Sequence, residues 1–439
     1  MRILLCQSYL GSSKGEPLVF PLGIAYVASV VEGKHDVYCW DPNVASEPIN
    51  ELVEILEKFN PDVIGLSLRN IDSAFSFNVR SYYPPFNLMV KTIKAVSPYC
   101  KLVVGGAGFS LFAKEIMQKN SEIDFGIISE GEFTFSELLK NIDKPEKVKN
   151  LLIRRNGDLF YTGKGDWLDF SALPLPSRHL FNVKKYAYSD FSMGIQAKRG
   201  CSFNCTFCSN KFLIGKRFRM RSPTKVVDEI EQVVSEYGVN SFYFVDSAFN
   251  FPFDHAKAIC EEIIRRKLDI SWAADFRPEF LNAQFMTLAV KAGCNLFSIS
   301  PDGASDDALR FLGKDFTVSS IDRSIQLVKE VDNAKVGYSF FFDIPYDNRR
   351  HTLGLLKLFI KTQSLHDKLK FFSLTRIRIY PHTLFYDYLL KQGKIKESDS
   401  FLYPIHYCSG YSFYLSNIVP NFIRGSLIIK DKIHELFMI

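Results

Sequence analysis

The sequence has no uninterrupted apolar run approaching the roughly 18 to 20 residues that a membrane-spanning helix requires. It also has no strong excess of either charge. Its 54 basic and 48 acidic side chains leave a net charge of +6, too weak over 439 residues to indicate nucleic-acid binding. Met1 to Leu5 lack the length and the cleavage site of a secretory signal peptide. We therefore expect a cytoplasmic protein with no transmembrane segment and no nucleic-acid partner.

Charged residues are scarce enough to exclude a largely disordered chain, since 47% of residues are hydrophobic and only 23% are charged. The length exceeds what one ordinary core holds and predicts two or three domains. Nine cysteines, an odd number without a secretory signal, argue against a disulfide framework. Phenylalanine is abundant, with 40 copies, which favours large cores; an apolar substrate cavity and a membrane-touching surface are the alternatives.

Short apolar runs alternate with helical patterns through residues 1–145. The runs that are typical of strands are Ile3 to Cys6, Val37 to Trp40, Val63 to Leu68, Leu102 to Val104 and Phe125 to Ile128. Between them, stretches such as Glu51 to Phe59 place apolar residues on one helical face. This alternation predicts an α/β domain, a parallel sheet with helices on both sides.

Two glycine-bearing segments follow strands of this sheet, at the edge where such sheets bind ligands. They contain Gly105, Gly106 and Gly108 after one strand, and Gly131 and Glu132 after the next. Backbone without side chains lets a planar or phosphate-bearing ligand approach, although a tight turn alone also explains the first three glycines. Residues 7–11 after the first strand do not match G-x-G-x-x-G, which argues against nicotinamide or flavin binding.

Residues 146–190 have the pattern of a hairpin and a linker. Leu151 to Arg155 and Asp158 to Tyr161 flank Asn156-Gly157, a pair that favours a type I′ turn. The following Pro174, Pro176 and Ser177 indicate an extended linker, and we place a domain boundary here.

Alternation of strands and helices restarts in residues 191–395. The strand candidates are Gly194 to Ala197, Ser241 to Val245, Ile270 to Ala274, Leu296 to Ser300, Val336 to Asp343 and Phe371 to Ile379. Ser222 and Pro223 mark the start of the first helix, and Gly238 marks its end. Six such units are too few for an eight-fold barrel and predict a partial (β/α)6 barrel. Residues 396–439 form a carboxyl-terminal extension.

Three cysteines lie together directly after the first strand of the second domain: Cys201, Cys205 and Cys208. Because cysteine makes up about 2% of residues, three cysteines fall at any one chosen spacing in this chain by chance with odds of roughly one in three hundred. Thiolates select iron–sulfur clusters or zinc. A structural zinc needs a fourth ligand, and the nearest histidines, His179 and His255, are distant in sequence. Three ligands on a four-iron cluster leave one iron open, as a catalytic cluster requires.

With aromatic Phe207 before the last cysteine, this motif resembles the C-x3-C-x-φ-C signature of radical S-adenosylmethionine (SAM) enzymes. Further segments are similar to those of the subgroup that carries an amino-terminal cobalamin-binding domain; they contain Asp246, Arg277, Ser300, Asp302 and Arg378. The resemblance covers residues 1 to about 395. It implies a Rossmann-like cobalamin-binding domain in residues 1–145 and a radical SAM barrel in residues 191–395.

The resemblance implies three cofactors: a [4Fe-4S] cluster on the three cysteines, SAM and cobalamin. The residues it assigns to SAM are Phe207, Asp246, Arg277, Ser300 and Asp302. Simpler roles stay open for most of these, since Asp246, Ser300 and Asp302 are also suited to helix capping and Arg277 to a salt bridge.

For cobalamin, the resemblance implies a cradle built from Gly105, Gly106, Gly108, Gly131 and Glu132. Related domains carry D-x-H-x-x-G after the first strand, with a histidine that ligates cobalt, and residues 7–11 lack that histidine. Arg69 and Asn70, at the end of the third strand, are expected to approach the lower face of the corrin. A guanidinium is a poor cobalt ligand, so Arg69 disfavours axial coordination there.

The activity implied is methyl transfer to an unactivated carbon, through a 5′-deoxyadenosyl radical and methylcobalamin. A small-molecule or lipid-like substrate and a reducing donor such as flavodoxin or ferredoxin follow from it. Phe340, Phe341 and Phe342 are expected to line the barrel interior, and Tyr380 and His382 are candidate proton or radical handlers. The alternatives are a cobalamin-dependent cyclase or ring-rearranging enzyme, and a non-catalytic iron–sulfur carrier or sensor.

Overall fold

The structure is a computed structural model that describes residues 1–11, 18–77, 79–187, 191–345 and 348–409. The part of the predicted extension in residues 410–439 and residues 188–190 of the predicted linker lie outside the described residues. Among the described helices, none has the length and apolarity needed to cross a membrane.

The first half forms a sheet with helices on both faces. Its strands are β1 (Arg2–Gln7), β2 (Asp36–Trp40), β3 (Val63–Ser67), β4 (Lys101–Gly105), β5 (Phe125–Ile127), β6 (Leu151–Arg155) and β7 (Asp158–Tyr161). Its helices are α1 (Leu22–Val31), α2 (Pro48–Phe59), α3 (Tyr83–Val96), α4 (Ala107–Lys119) and α5 (Glu132–Lys140). The strand order is β2-β1-β3-β4-β5-β6-β7, in which β1 to β5 are parallel. The predicted α/β sheet is confirmed.

Burial of both faces explains why the strands read as continuous apolar runs. In β1, Ile3 and Leu5 pack with the core under α1 and α5, whereas Leu4 and Cys6 pack with the core under α2, α3 and α4. Because both faces of such a strand are buried, apolar residues are expected at every position and not at alternate positions.

The predicted hairpin forms, but it belongs to the first sheet. Asn156 and Gly157 both have positive φ, 53° and 88°, as a type I′ turn requires. β6 pairs antiparallel with β5, and β7 pairs with β6. The sheet therefore runs on to Tyr161, and only the chain after it has the character of a linker.

The second half is an open barrel of six parallel strands. Its strands, with the small β9–β10 hairpin that follows the first of them, are β8 (Met193–Ile195), β9 (Lys198–Arg199), β10 (Arg219–Met220), β11 (Ser241–Phe244), β12 (Ser271–Phe276), β13 (Cys294–Asp302), β14 (Val336–Phe341) and β15 (Leu369–Thr375). Its helices are α6 (Asn210–Leu213), α7 (Pro223–Tyr237), α8 (Phe253–Arg265), α9 (Ala283–Lys291), α10 (Asp306–Phe311), α11 (Val318–Glu330), α12 (Asn348–Gln363) and α13 (Leu384–Lys391). The strand order β15-β14-β13-β12-β11-β8 confirms the partial barrel.

Local sequence signals correctly predicted both ends of α7. The Ser222 side chain accepts from the backbone N–H of Lys225 at 3.3 Å, Pro223 is the first helical residue, and Gly238 is left-handed at φ 68°. The last barrel strand differs, because it ends at Thr375 and not at Ile379. Beyond it the chain leaves the sheet and pairs with the carboxyl-terminal segment, where the N–H of Tyr407 donates to Ile377 at 2.8 Å.

The expectation that three phenylalanines line the barrel interior is wrong for Phe340. Successive side chains of a strand face opposite ways, and Phe340 lies in the outer layer against Phe372, with ring centroids 5.0 Å apart. Phe341 faces the cysteine loop. Phe342 follows the strand and stacks on Phe77 of the first domain.

Buried ion pairs hold the linker and both domains together. Glu229 of α7 accepts from Arg178 of the linker at 2.5 Å and from Arg221, and all three side chains are buried. Between the two domains, Asp72 pairs with Arg378 at 2.8 Å. A buried charge needs such a partner, so these pairs favour a fixed placement of the linker and the domains.

Candidate active site

The cysteine loop is closed at its base by the β9–β10 hairpin. Gly200 has φ 92°, and a Cβ there would overlap the carbonyl oxygen of Arg217, so only glycine fits. The N–H of Cys201 then donates to the carbonyl of Gly215 at 3.0 Å. The three cysteines thus project from a loop whose two ends are held together.

A second set of contacts holds the middle of the loop. The N–H of Thr206 donates to the carbonyl of Leu312 at 2.9 Å, and the N–H of Phe385 donates to the carbonyl of Thr206 at 2.9 Å. Gly313, at φ 70°, has no room for a Cβ beside Asn204. The segments after β13 and β15 therefore position the loop across the barrel mouth.

The three thiols are half-buried and close enough to affect one another's ionisation. Burial raises the pKa of Cys201, and it raises the pKa of Cys208 to about 12, with the neighbouring thiols adding to the rise. Three thiolates so close together require a cationic centre, and metal coordination deprotonates thiols. Across the described ranges, no three histidine, cysteine, aspartate or glutamate side chains converge on a single-ion position. The donor set fits an iron–sulfur cluster better than a closed zinc site.

Several predicted SAM residues lie around this loop. Asp302 pairs with Lys314 at 2.6 Å, and Lys314 also donates to the carbonyl of Ser300 at 3.1 Å. The charges of Cys205 and Arg277 both act on Lys314, which brings these groups into one neighbourhood. Burial raises the pKa of Asp302, although Lys314 opposes the rise. Lys314 was not predicted, since nothing in the sequence links it to Asp302 across α10.

Aromatic rings close the space between these groups. The ring of Phe207 packs edge to face on Phe341, with centroids 4.8 Å apart. The guanidinium of Arg277 lies 3.6 Å from the centroid of Phe203 and pairs with Glu279. Arg277 is therefore already partnered, as the salt-bridge alternative required.

Asp246, Tyr380 and His382 take supporting positions. The Asp246 carboxylate accepts from the N–H groups of Ala197 and Lys198 at 2.9 and 3.1 Å, and its side chain is fully enclosed. It therefore holds the strand that leads into the motif. The hydroxyl of Tyr380 donates to Asp72 at 3.1 Å, and His382 stacks on Phe212 with centroids 4.1 Å apart.

A cavity of about 460 Å³ lies at the carboxyl ends of β1, β3, β4 and β5, the edge predicted to bind a ligand. Gly105, Gly106, Gly131, Glu132 and Arg69 line it. A Cβ on Gly105 would lie no closer than 3.6 Å to a neighbouring atom, and a Cβ on Gly131 no closer than 3.8 Å. The backbone at these two positions therefore borders open space. The described lining residues include no histidine, so the cavity offers no imidazole to a metal bound in it.

Gly108 and Asn70 do not line the cavity, in contrast to the expectation. A Cβ on Gly108 would lie 2.6 Å from the backbone carbonyl carbon of Asn70, so this glycine serves the packing of α4 against residues 70–71. The carboxylate of Glu132 is likewise taken, by Arg199 at 2.6 Å. Both differences arise from contacts between segments distant in sequence.

Comparisons with known proteins agree with this architecture. The sequence model of the B12 binding domain matches residues 13–139, and that of the radical SAM superfamily matches residues 195–359. An uncharacterised methyltransferase of Pyrococcus horikoshii is 27% identical over 375 residues, 84% of this chain and 78% of that protein. The anaerobic magnesium-protoporphyrin IX monomethyl ester cyclase of Cereibacter sphaeroides is 24% identical over 331 residues, 71% of this chain and 52% of the cyclase.

A solved structure has the same fold. The radical SAM methyltransferase TsrM from Kitasatospora setae, with cobalamin and a [4Fe-4S] cluster bound, superimposes with a TM-score of 0.77 at 20% identity, over 89% of this chain and 78% of that one. The two family matches confirm the expected cobalamin-binding domain and radical SAM domain, and the shared architecture confirms the expected fold. The chain therefore carries a B12 binding domain followed by a radical SAM domain, in the order that the sequence predicted.

Proposed function

We propose that the protein is a methyltransferase that acts on an unactivated carbon of a small-molecule or lipid-like substrate. The observation that supports this is a wall shared by the two cofactor sites. Helix α6 follows Cys208 directly, and its Leu213, with Ile214, lines the cavity of the first domain. The hydroxyl of Ser129 donates to the carbonyl of Leu213 at 2.6 Å and joins the two sides. Adjacent sites suit a reaction in which both cofactors act on one substrate.

The cofactors, when bound, supply a 5′-deoxyadenosyl radical and a transferable methyl group. Cys201, Cys205 and Cys208 would hold three irons and leave the fourth to the amino and carboxylate groups of SAM. Lys314 is a cation near Cys205, and it lowers the pKa of Cys208 against the effect of burial. Phe207, packed on Phe341, shields the inner side of the loop from water.

Arg69 has a different role in this proposal. It lines the cavity from the end of β3, where it would face the side of the corrin turned toward the sheet. A guanidinium is a poor metal ligand, so Arg69 would not supply cobalt with a protein ligand. An imidazole signal in the spectrum of the cobalamin-bound protein would contradict this role.

Ring formation without net methyl transfer is the second candidate, because the cyclase of Cereibacter sphaeroides matches 71% of the chain. Product mass separates the two: methyl transfer adds one methylene unit, and cyclisation removes hydrogen. Both need an electron to enter the cluster. We therefore also infer a reducing donor such as flavodoxin or ferredoxin, and a cytoplasmic place of action.

The test is anaerobic incubation of the reconstituted protein with SAM and a strong reductant. We expect 5′-deoxyadenosine to form, and methyl-labelled SAM to label the bound cobalamin. Cys205→Ala should abolish 5′-deoxyadenosine and reduce iron content. The matched control is Cys408→Ala, an exposed cysteine outside the site, which should change neither. A wild-type protein that binds a cluster yet makes no 5′-deoxyadenosine would instead support an electron carrier or sensor.

A further inference from the structure

Three polar side chains project into the barrel from neighbouring strands. They are Tyr243 on β11, Asp275 on β12 and Ser298 on β13. Asp275 pairs in register with Ser298, and Tyr243 pairs with Ala273, two positions before Asp275, so all three point the same way. The residues that follow or precede them are buried phenylalanines of the outer layer under the helices: Phe244, Phe276 and Phe297. The polar face is therefore the interior one.

The three side chains form one hydrogen-bonded group. The hydroxyls of Tyr243 and Ser298 both bond to the carboxylate of Asp275. Burial raises the pKa of Asp275; the charge of Asp302 adds to the rise, and the charge of Lys314 opposes it. All members of the group keep part of their surface accessible, although their strands lie in the middle of the sheet. That accessible part faces the space inside the barrel.

An aromatic surface lies across the same layer of the sheet. Ser298 pairs in register with Gly337, and Gly337 pairs with Phe371. The ring of Phe371 occupies the place of a Cβ on Gly337, so the ring covers the inner face of β14. Glycine at 337 is thus what allows a phenylalanine ring to lie flat inside the barrel. The interior has a carboxylate on one side and an aromatic ring on the other.

We propose that Asp275, with Tyr243 and Ser298, binds a protonated amine of the substrate, and that Phe371 packs against the substrate's flat or aromatic body. A carboxylate accepts at about four positions, and the two hydroxyls leave some of them for a ligand. A desolvated carboxylate gains most from a cation, because charge-assisted hydrogen bonds are about twice as strong as neutral ones. The predicted SAM residues Ser300 and Asp302 lie further along β13, toward the cysteine loop.

This inference rests on the proposed function for its meaning, but its test needs no turnover. The holoenzyme with SAM bound is titrated by calorimetry with phenethylamine, phenethyl alcohol and 3-phenylpropionate, which share a ring and differ in the polar end. We expect the amine to bind at least about tenfold more tightly than the carboxylate, with the alcohol between. Loss of 5′-deoxyadenosine formation would refute the proposed function and leave this ranking unaffected.

Three variants test the assignment. Asp275→Asn keeps the shape and should weaken the amine about tenfold and the alcohol less than about threefold. Tyr243→Phe should weaken the amine by a smaller factor, and Phe371→Leu should weaken all three probes alike. The matched control, Asp322→Asn, alters an exposed carboxylate on α11 that pairs with Lys361, and should change nothing.

Two results would overturn the proposal. One is equal binding of the three probes, or their binding in an order that Asp275→Asn does not change. The other is a loss of SAM affinity in Asp275→Asn and Tyr243→Phe with unchanged probe binding, which would assign the group to the SAM site. If Asp275→Asn fails to fold, Tyr243→Phe and Ser298→Ala, which remove one hydroxyl each, decide by the same ranking.

Discussion

Replacing Gly106 by alanine should cost stability before any cofactor binds. Gly106 precedes α4 at φ 98° and ψ 166°, a region that is nearly restricted to glycine and costs other residues about 1–3 kcal/mol. The added Cβ would also lie 2.6 Å from the carbonyl oxygen of Leu68 and 2.8 Å from the hydroxyl oxygen of Ser67. Together these effects predict a loss of about 3 kcal/mol in the free energy of unfolding.

Two other glycines separate the causes. Gly157, at φ 88°, has no atom within 4 Å of an added Cβ, so Gly157→Ala carries the backbone strain alone and should cost less than Gly106→Ala. Gly131 lines the cavity at φ −98° with no close neighbour, so Gly131→Ala should leave stability within about 0.5 kcal/mol and yet weaken cobalamin binding.

The assays are urea unfolding of the apoprotein and a cobalamin titration followed by visible absorbance. Gly106→Ala should lower both the unfolding midpoint and the cobalamin affinity, and Gly157→Ala only the midpoint. If Gly106→Ala unfolds at the same urea concentration as the wild type, the backbone argument for the cradle is wrong.

Two further predictions concern the buried charges and thiols. Glu229→Gln leaves the buried guanidinium groups of Arg178 and Arg221 without their carboxylate and should lower stability by about 3–5 kcal/mol, measured by chemical unfolding. Glu231→Gln, which removes an exposed carboxylate from the same helix, should cost less than about 1 kcal/mol. The second prediction concerns Cys208, whose pKa rises from 9.0 to about 12 on folding. The folded apoprotein favours the thiol, so its contribution to stability is complete below pH 9 and is lost as the pH rises toward 12. The free energy of unfolding of the wild type should therefore fall relative to that of Cys208→Ser as the pH rises from 9 toward 12. A difference between the two proteins that stays constant over this range would contradict the raised pKa.

Patterns within a few residues were enough to predict the strands and several turns. The run at Ile3 to Cys6 is apolar because both faces of β1 are buried, and the turn at Asn156-Gly157 requires positive φ at both residues. Such features depend on neighbours in the chain. Lys314 was missed for the opposite reason: its pairing with Asp302 exists only once β13 and the segment after α10 meet.

The grouping of Asp275 with its neighbours could not be predicted from the sequence either, because it depends on contacts between strands. The position of Asp275 among the apolar residues of β12 gives no pattern that distinguishes a functional carboxylate from a surface one. Its role depends on Tyr243 and Ser298, which the sheet brings beside it from two other strands. The spacing of the three cysteines was predictable because all three ligands lie on one loop.

The segment of residues 129–132 links the two cofactor sites more directly than its resemblance to a cobalamin cradle implies. Its backbone lines the cavity, while the carboxylates of Glu130 and Glu132 pair with Arg219 and Arg199. Those arginines belong to β10 and β9, the hairpin that closes the base of the cysteine loop. One segment therefore shapes the cavity and holds both ends of the loop that carries the cysteines. Because the pair of Glu132 and Arg199 is buried, a shift of either site would leave buried charges without partners, which favours a fixed distance between the two cofactors.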